Sequence, residues 1–223
     1  MFFSCNKDET PTTETNIDYG YFPYQTGDWI TYDVVEINID RDSEVFDTIY
    51  YQVKELIEST FIDDAGDETF RIEIYKRTDS TYNWDISDVW YANLYTNAAH
   101  KIEENIRYVK IIFPAKLELK WNGNAYNTLD TLNRYQYEIT KIDEHEIINE
   151  FEFDSVLTVT QKYDSSLVQK ILYAEKYAKN TGLIYKEEVD INSQIIDINV
   201  PIEERISKGT IKRMKISGYG NNI

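Results

Sequence analysis

The chain has 223 residues, which is long enough for one large β domain or two small ones. Its 40 acidic residues outnumber its 23 basic residues, and the formal net charge of −17 repels nucleic-acid phosphates and anionic lipid surfaces. Composition therefore argues against nucleic acid as a partner, and no apolar stretch approaches the length that would span a bilayer as a helix.

The aromatic content favours β structure. The 19 tyrosines and the aromatic share of 14% are high, and tyrosine suits the half-buried, pleated surface of a sheet. With only 8 glycines and 4 prolines, the composition does not indicate a low-complexity or disordered chain.

The single cysteine, Cys5, lies at the start of the chain behind Met1-Phe2-Phe3-Ser4. A small residue before a cysteine at the end of an apolar run resembles a bacterial lipoprotein cleavage site, where the thiol receives the lipid. The next four residues are Asn6, Lys7, Asp8 and Glu9. They resemble the export signal of Bacteroidota lipoproteins, in which a lysine and acidic residues follow the lipidated cysteine.

This resemblance implies attachment to the outer membrane through a lipid on Cys5, with the body of the protein facing the cell exterior. A signal peptide needs a basic region and a longer apolar region, and only Phe2 and Phe3 represent the latter. Either the start codon lies further upstream or the apolar region has been trimmed. The alternative is an ordinary cytosolic cysteine near a chain terminus.

The chain divides into four segments. The resemblance implies that residues 1–5 are a residual lipoprotein signal with its lipidation site, and the polar residues 6–18 predict a flexible tether. Residues 19–217 contain no linker or shift in composition and predict one domain. We expect residues 218–223 to fray.

Apolar residues alternate with polar ones along most of the domain and predict roughly ten strands at hairpin spacing. The clearest strand contains Phe70, Ile72 and Ile74, and the apolar run 108–113 predicts a buried central strand. Asn122-Gly123 is the strongest short hairpin signal.

One segment departs from this period. Between residues 165 and 179 the apolar positions are closer to a spacing of 3.6 than of 2, which predicts an α-helix. Asp164 or Ser165 is a suitable N-cap, and Gly182 can end the helix.

Three short motifs resemble those of uncharacterised Bacteroidota surface lipoproteins. They are Gly27-x-Trp29-x-x-Tyr32, Trp121-Asn122-Gly123-Asn124 and Tyr177-Ala178-x-x-x-Gly182-Leu183. The motifs are structural, so the resemblance implies a location more than an activity. The predicted fold is mainly β, a single antiparallel β-rich domain with one late helix over 165–179. Two geometries fit. One is a sandwich or closed barrel with the helix capping an end, and the other, which we favour, is a curved sheet or open barrel that wraps around the helix.

Catalytic residues are scarce. The chain has two histidines, His100 and His145, and lacks a nucleophile elbow and a phosphate-binding glycine loop. We therefore predict that the protein is not an enzyme and has no cofactor. Glu144 and Glu146 flank His145, but alternate strand residues point to opposite faces, so no metal site is predicted. The acidic turns at 40–44 and 63–68 do not fit a calcium-loop template.

Four aromatic residues could stack on a ligand such as a sugar: Trp84, Trp90, Tyr91 and Tyr95. The alternative is that they belong to the core and rim of the sheet. Three functional hypotheses remain. The first is a surface-anchored, non-enzymatic binding or structural module for an unknown extracellular ligand. The second is a carrier of an apolar or lipid ligand inside the sheet, with an internal cavity lined by Ile, Leu and Phe. The third is a glycoside hydrolase that uses two carboxylates, one of raised pKa.

Overall fold

A computed structural model describes residues 19–127 and 136–222. Cys5, the predicted export signal Asn6 to Glu9 and the predicted tether lie outside the described residues. The described chain is almost entirely β, so the predicted antiparallel β-rich domain is confirmed. None of its described segments is a helix long and apolar enough to cross a membrane.

Twelve antiparallel strands form one sheet. They are β1 (Asp28–Asp40), β2 (Val45–Ile62), β3 (Glu68–Arg77), β4 (Asp85–Leu94), β5 (Ala98–Glu103), β6 (Ile106–Ile112), β7 (Lys120–Asn122), β8 (Gln136–Ile148), β9 (Phe151–Ser165), β10 (Gln169–Ala178), β11 (Gly182–Asn192) and β12 (Lys208–Asn221). A 3₁₀ turn at Ile202–Glu204 lies between the last two strands.

Strands that are consecutive in the chain are neighbours in the sheet, except for β6 and β7, and the first and last strands lie side by side in the middle of the strand order. The order is β6-β5-β4-β3-β2-β1-β12-β11-β10-β9-β8-β7, so the first and last strands pair and β6 and β7 are the two edges. The edges meet: the Val109 amide donates to the Gly123 carbonyl at 2.8 Å, and the Trp121 indole N–H donates to the Val109 carbonyl at 2.8 Å. The sheet is therefore nearly closed and barrel-like.

The main core fills the interior of this sheet. Alternate residues of a strand point to the same face, and the inward residues of opposite strands meet there. The most deeply buried of them include Tyr32, Ile72, Ile111, Ile139, Leu157, Ile184 and Ile216. A second, smaller apolar cluster lies on the outer face and is covered by the segment between β11 and β12. Its buried members are Val189, Ile191, Ile202, Ile206 and Ile211.

The helix predicted over residues 165–179 is wrong. Gln169–Ala178 is strand β10, paired with β9 and β11, and no α-helix occurs in the described residues. The period was misleading for two reasons. Glu175 is a charged residue and so does not count as an apolar position, yet it is buried inside the sheet at 1% exposure. In addition, a register shift between Tyr173 and Ala174 interrupts the alternation.

The predicted fraying of residues 218–223 also needs correction. Strand β12 continues to Asn221, and Gly218 to Asn221 pair with Thr31 to Asp28 of β1. The two terminal strands therefore hold each other along their whole length. The domain accordingly extends past the predicted boundary at residue 217.

Candidate ligand-binding site

A network of charged side chains lies inside the sheet. It contains three lysines and three glutamates: Glu55 on β2, Lys101 and Glu103 on β5, Lys110 on β6, Glu175 on β10 and Lys186 on β11. Lysine and glutamate are almost never fully buried unless they are paired. We call this set the charge network.

Two ion pairs are the shortest links of the charge network. The Lys101 ammonium contacts both carboxylate oxygens of Glu55, at 2.8 and 2.9 Å. The Lys110 ammonium lies 2.8 Å from Glu175 and 3.1 Å from Glu103. The Tyr177 hydroxyl donates to the other Glu175 oxygen at 2.6 Å. Each buried charge is therefore both paired and hydrogen-bonded, which a buried ion pair requires.

Longer links join these pairs into one cluster. Glu103 lies 3.8 Å from the Lys101 ammonium and 4.0 Å from that of Lys186. Lys186 also lies 3.9 Å from Glu175 and pairs with Glu188 at 2.9 Å. Because Lys186 and Glu103 are the more exposed members, they form the end of the network that is nearest to solvent.

Mutual attraction keeps the network ionised. Burial alone would raise the pKa of Glu103, but the ammonium groups of Lys110, Lys186 and Lys101 hold it well below its usual range. The pKa of Glu175 is lowered in the same way against its burial, first by Lys110 and then by Lys186. Burial alone would lower the pKa of Lys110, but Glu103 and Glu175 raise it well above its ordinary value. The Lys110 ammonium and the carboxylates of Glu103 and Glu175 therefore face one another as charged groups at neutral pH.

The exposed end of the network opens into a cavity of about 320 Å³, which we call the polar cavity. Its walls carry Trp90 and Met214 together with charged side chains. Two tyrosines, Tyr51 and Tyr108, also line it. The charged side chains are those of Lys76, Asp88, Glu103, Glu104, Lys186, Glu188 and Lys212. Both charge signs line this cavity, so it offers hydrogen-bond donors and acceptors to a polar ligand.

A second cavity of about 270 Å³ lies at the end of the sheet where the described chain begins. Three aromatic rings line it, those of Tyr24, Trp29 and Tyr219, and we call it the aromatic cavity. Alternate residues of β2 divide between the two cavities: Glu55 and Ile57 line the aromatic cavity, whereas Tyr51 and Val53 line the polar cavity. Glu55 thus belongs both to the charge network and to the wall of the aromatic cavity.

The four predicted stacking aromatics do not form one platform. Trp90 lines the polar cavity, with the Lys101 ammonium 5.0 Å from its ring centroid. Trp84 stacks with the Arg77 guanidinium at 4.1 Å, and Tyr91 contacts Phe61 edge-on at 5.9 Å.

Tyr95 directly follows β4 and lines neither the polar cavity nor the aromatic cavity. It contacts His100 at 4.8 Å, and its hydroxyl donates to Asp67 at 2.8 Å. Only Trp90 therefore belongs to the site described here.

Neither histidine takes part in the charge network, although His100 precedes Lys101 on β5. His100 packs between Tyr95 and Tyr126 at 5% exposure, and burial followed by the charge of Arg107 lowers its pKa to about 4. His145 is exposed on β8 and contacts Glu152 at 2.8 Å. Within residues 19–127 and 136–222, no three His, Cys, Asp or Glu side chains are placed to hold a metal ion.

Glu103 and Glu175 do not supply the acid that a glycosidase needs. A general acid requires a raised pKa, whereas the pKa values of Glu103 and Glu175 are lowered. The charged walls of the polar cavity also differ from the Ile, Leu and Phe lining that the apolar carrier hypothesis requires. The geometry therefore favours binding of a polar ligand.

Sequence reasoning missed the charge network, although one signal was present. Lys110 lies within the apolar run 108–113, which predicted a buried central strand. A lysine inside such a strand needs a buried acidic partner. The partner, Glu175, lies far along the chain in the segment that was mistaken for a helix, so pattern alone did not connect the two residues.

No family model matches the chain, and no curated protein matches its sequence. A structure similar to it is that of a protein from Bacteroides fragilis NCTC 9343, described as exported and as having a YmcC-like fold. The identity is 10%, the match covers 90% of this chain and 98% of that one, and the TM-score is 0.48. An outer membrane lipoprotein-sorting protein domain from Vibrio parahaemolyticus shows 12% identity, coverage of 92% and 87%, and a TM-score of 0.19. Neither similarity supports a functional assignment.

Proposed function

We propose that this protein is a lipid-anchored, non-enzymatic binding module on the outer surface of the outer membrane, and that it binds a small polar ligand in the polar cavity. The lipid anchor would be carried by Cys5, and the export signal by Asn6 to Glu9, as the sequence resemblance implies. The structural observation behind the binding role is the charge network that opens into the polar cavity through Glu103 and Lys186.

A structural role alone is a weak explanation for this network. Replacing a buried ion pair by apolar residues of similar volume is often neutral or stabilising. A folded interior therefore has no general need for three lysines and three glutamates. Their attraction does fix the positions of Glu103 and Lys186 at the cavity wall, and a binding site needs such prepositioned charges.

Ligand binding is tested by thermal unfolding of the full chain in the presence of amino acids, amino sugars and neutral monosaccharides, followed by calorimetric titration of any compound that raises the midpoint. We expect Glu103→Gln or Lys186→Met to lower the affinity for that compound by at least about tenfold, because a hydrogen bond to a charged group contributes roughly 1.5–3 kcal/mol. Glu152→Gln and Lys215→Met change the same charges at exposed positions and serve as controls. Equal affinity in all five proteins would refute the site.

The anchor is tested separately, by intact mass and by protease treatment of whole cells, on the protein produced in its own host. We expect an acyl-modified mass on Cys5 and removal of the body of the protein by external protease. A Cys5→Ser variant should lack the lipid and be released from the membrane fraction. An unmodified wild-type protein that external protease does not reach would contradict the anchor and leave the binding role to stand on the cavity alone.

A further inference from the structure

The aromatic cavity has no role in the proposed function, and its lining differs from that of the polar cavity. Tyr24, Trp29 and Tyr219 supply aromatic rings, and Ile30 and Ile57 supply the apolar remainder. Its volume of about 270 Å³ is just below the roughly 300–1,000 Å³ of sites for drug-sized ligands, so it suits a smaller molecule.

Every charged residue on its wall is acidic. Glu55 lies at the buried base, at 6% exposure, and Asp28 is half-buried. None of the described residues that line this cavity is a lysine, arginine or histidine. Lys54 approaches Trp29, with its ammonium 5.4 Å from the ring centroid, but it is not part of the wall.

The two carboxylates have different surroundings. Glu55 is held by the Lys101 ammonium through both oxygens, so its charge is already balanced. Asp28 accepts hydrogen bonds from the Gln25 backbone N–H at 2.9 Å and from the Asn221 side-chain amide at 2.7 Å, and it forms no ion pair within the described part of the chain. Asp28 therefore has negative charge to offer a ligand.

We propose that the aromatic cavity binds a small organic cation of the alkylated ammonium class. The faces of tryptophan and tyrosine rings attract such cations, and cages of aromatic side chains recognise quaternary ammonium groups. The Asp28 carboxylate adds a charge that a neutral or anionic ligand could not use. The same wall disfavours anions, because no cation is present on it to compensate them.

This site is independent of the polar cavity. The two spaces share no lining residue. A negative result at one site therefore leaves the other untouched.

The test is a calorimetric titration of the full chain with choline chloride, with tryptophan fluorescence as a second readout. The matched control ligand is 3,3-dimethylbutan-1-ol, which has the shape of choline without its charge. We expect choline to bind, and the neutral alcohol to bind at least about tenfold more weakly.

Two substitutions locate the binding. Tyr219→Leu removes one ring at an exposed position and should lower the affinity for choline roughly 3- to 30-fold. Asp28→Asn should weaken it several-fold. Their controls are Tyr163→Leu, an exposed tyrosine that lines none of these cavities, and Asp33→Asn, an exposed aspartate on the same strand as Asp28. Both controls should retain wild-type affinity.

The proposal is overturned by any of three results. The first is no binding of choline, and the second is equal binding of the neutral alcohol. The third is a loss of affinity that is the same in Asp33→Asn as in Asp28→Asn, because that would reflect attraction to the net charge of the chain and not to the cavity.

Discussion

Lys110 on β6 and Glu175 on β10 form a 2.8 Å ion pair across the interior of the sheet, although seven strands (β5 to β1, then β12 and β11) separate them in the order of the sheet. The pair therefore connects two parts of the sheet that backbone hydrogen bonding does not join directly. The exposures of the two side chains are 3% and 1%, so water does not screen their attraction. The closed shape of the sheet and the charge network accordingly depend on each other.

Removing one partner of this pair should be strongly destabilising. Lys110→Met leaves the Glu175 carboxylate buried without its nearest cation, and such a change reduces the free energy of unfolding by about 3–5 kcal/mol. The measurement is urea unfolding at neutral pH. Lys215→Met removes a lysine at an exposed position and should change the free energy of unfolding by less than about 0.5 kcal/mol.

The double variant Lys110→Met/Glu175→Gln separates charge from packing. It removes both charges and keeps an oxygen that can accept the hydrogen bond from Tyr177. We expect it to be more stable than Lys110→Met alone, because no unpaired buried charge is left. If both variants were equally unstable, the loss would come from packing and not from the unpaired carboxylate.

His100 should make stability depend on pH between about 6.5 and 4. Its pKa is lowered to about 4 in the folded protein, so the unfolded chain binds the proton more readily within this range. The contribution is fully present above about pH 6.5 and is lost as the pH falls to about 4, with a size on the order of 3 kcal/mol. Urea unfolding at several pH values should therefore show a smaller decline for His100→Phe than for the wild type. Parallel curves for the two proteins would contradict the assignment to His100.

Glu175 of the charge network should make the free energy of unfolding depend on pH in a lower range than His100 does. The lowered pKa of Glu175 means that its contribution to stability is present above the unfolded value of about 4.3 and is lost as the pH falls below it. The double variant Lys110→Met/Glu175→Gln lacks this contribution. Its free energy of unfolding should consequently fall less steeply than that of the wild type below about pH 4.3, and an equal slope would refute this role of the network.

The fold class could be predicted from the sequence because half-buried strands alternate apolar and polar residues. The alternation at Phe70, Ile72 and Ile74 corresponds to β3, in which all three side chains are buried. Alternation fails where the interior is itself charged. Glu175 is a charged residue at a buried position, so the pattern of β10 resembles that of a helix. The pairing of Lys110 with Glu175 depends on the closure of the sheet, which no local sequence pattern encodes.

Turns were predicted less well for a related reason. Asn122-Gly123 resembles a two-residue hairpin, yet Asn122 pairs with Gln136 and the segment after it makes contacts with β6. The Gly123 carbonyl is used to join the two edges of the sheet. Local turn propensity therefore identified a real hairpin, that of β7 with β8, but not the length of its loop, because Asn122 pairs with Gln136.

Gly209 offers a test of how closely β11 and β12 approach each other. It has φ +143°, and a Cβ at this position would lie 2.2 Å from the Asp190 carbonyl oxygen and 2.6 Å from the Ile191 Cα. Both neighbours are backbone atoms, so the strands must move apart to admit a methyl group. We expect Gly209→Ala to lower the free energy of unfolding by about 2–3 kcal/mol.

Gly66→Ala is the matched control, because Gly66 also has a positive φ, of +87°, but has no atom within 4 Å of the added Cβ. It should lower the free energy of unfolding by about 1 kcal/mol through backbone strain alone. Urea unfolding of the two variants thus separates strain from steric contact. Equal losses would mean that β11 and β12 separate freely at this point, and the outer apolar cluster that joins these strands would then contribute little to the stability of the sheet.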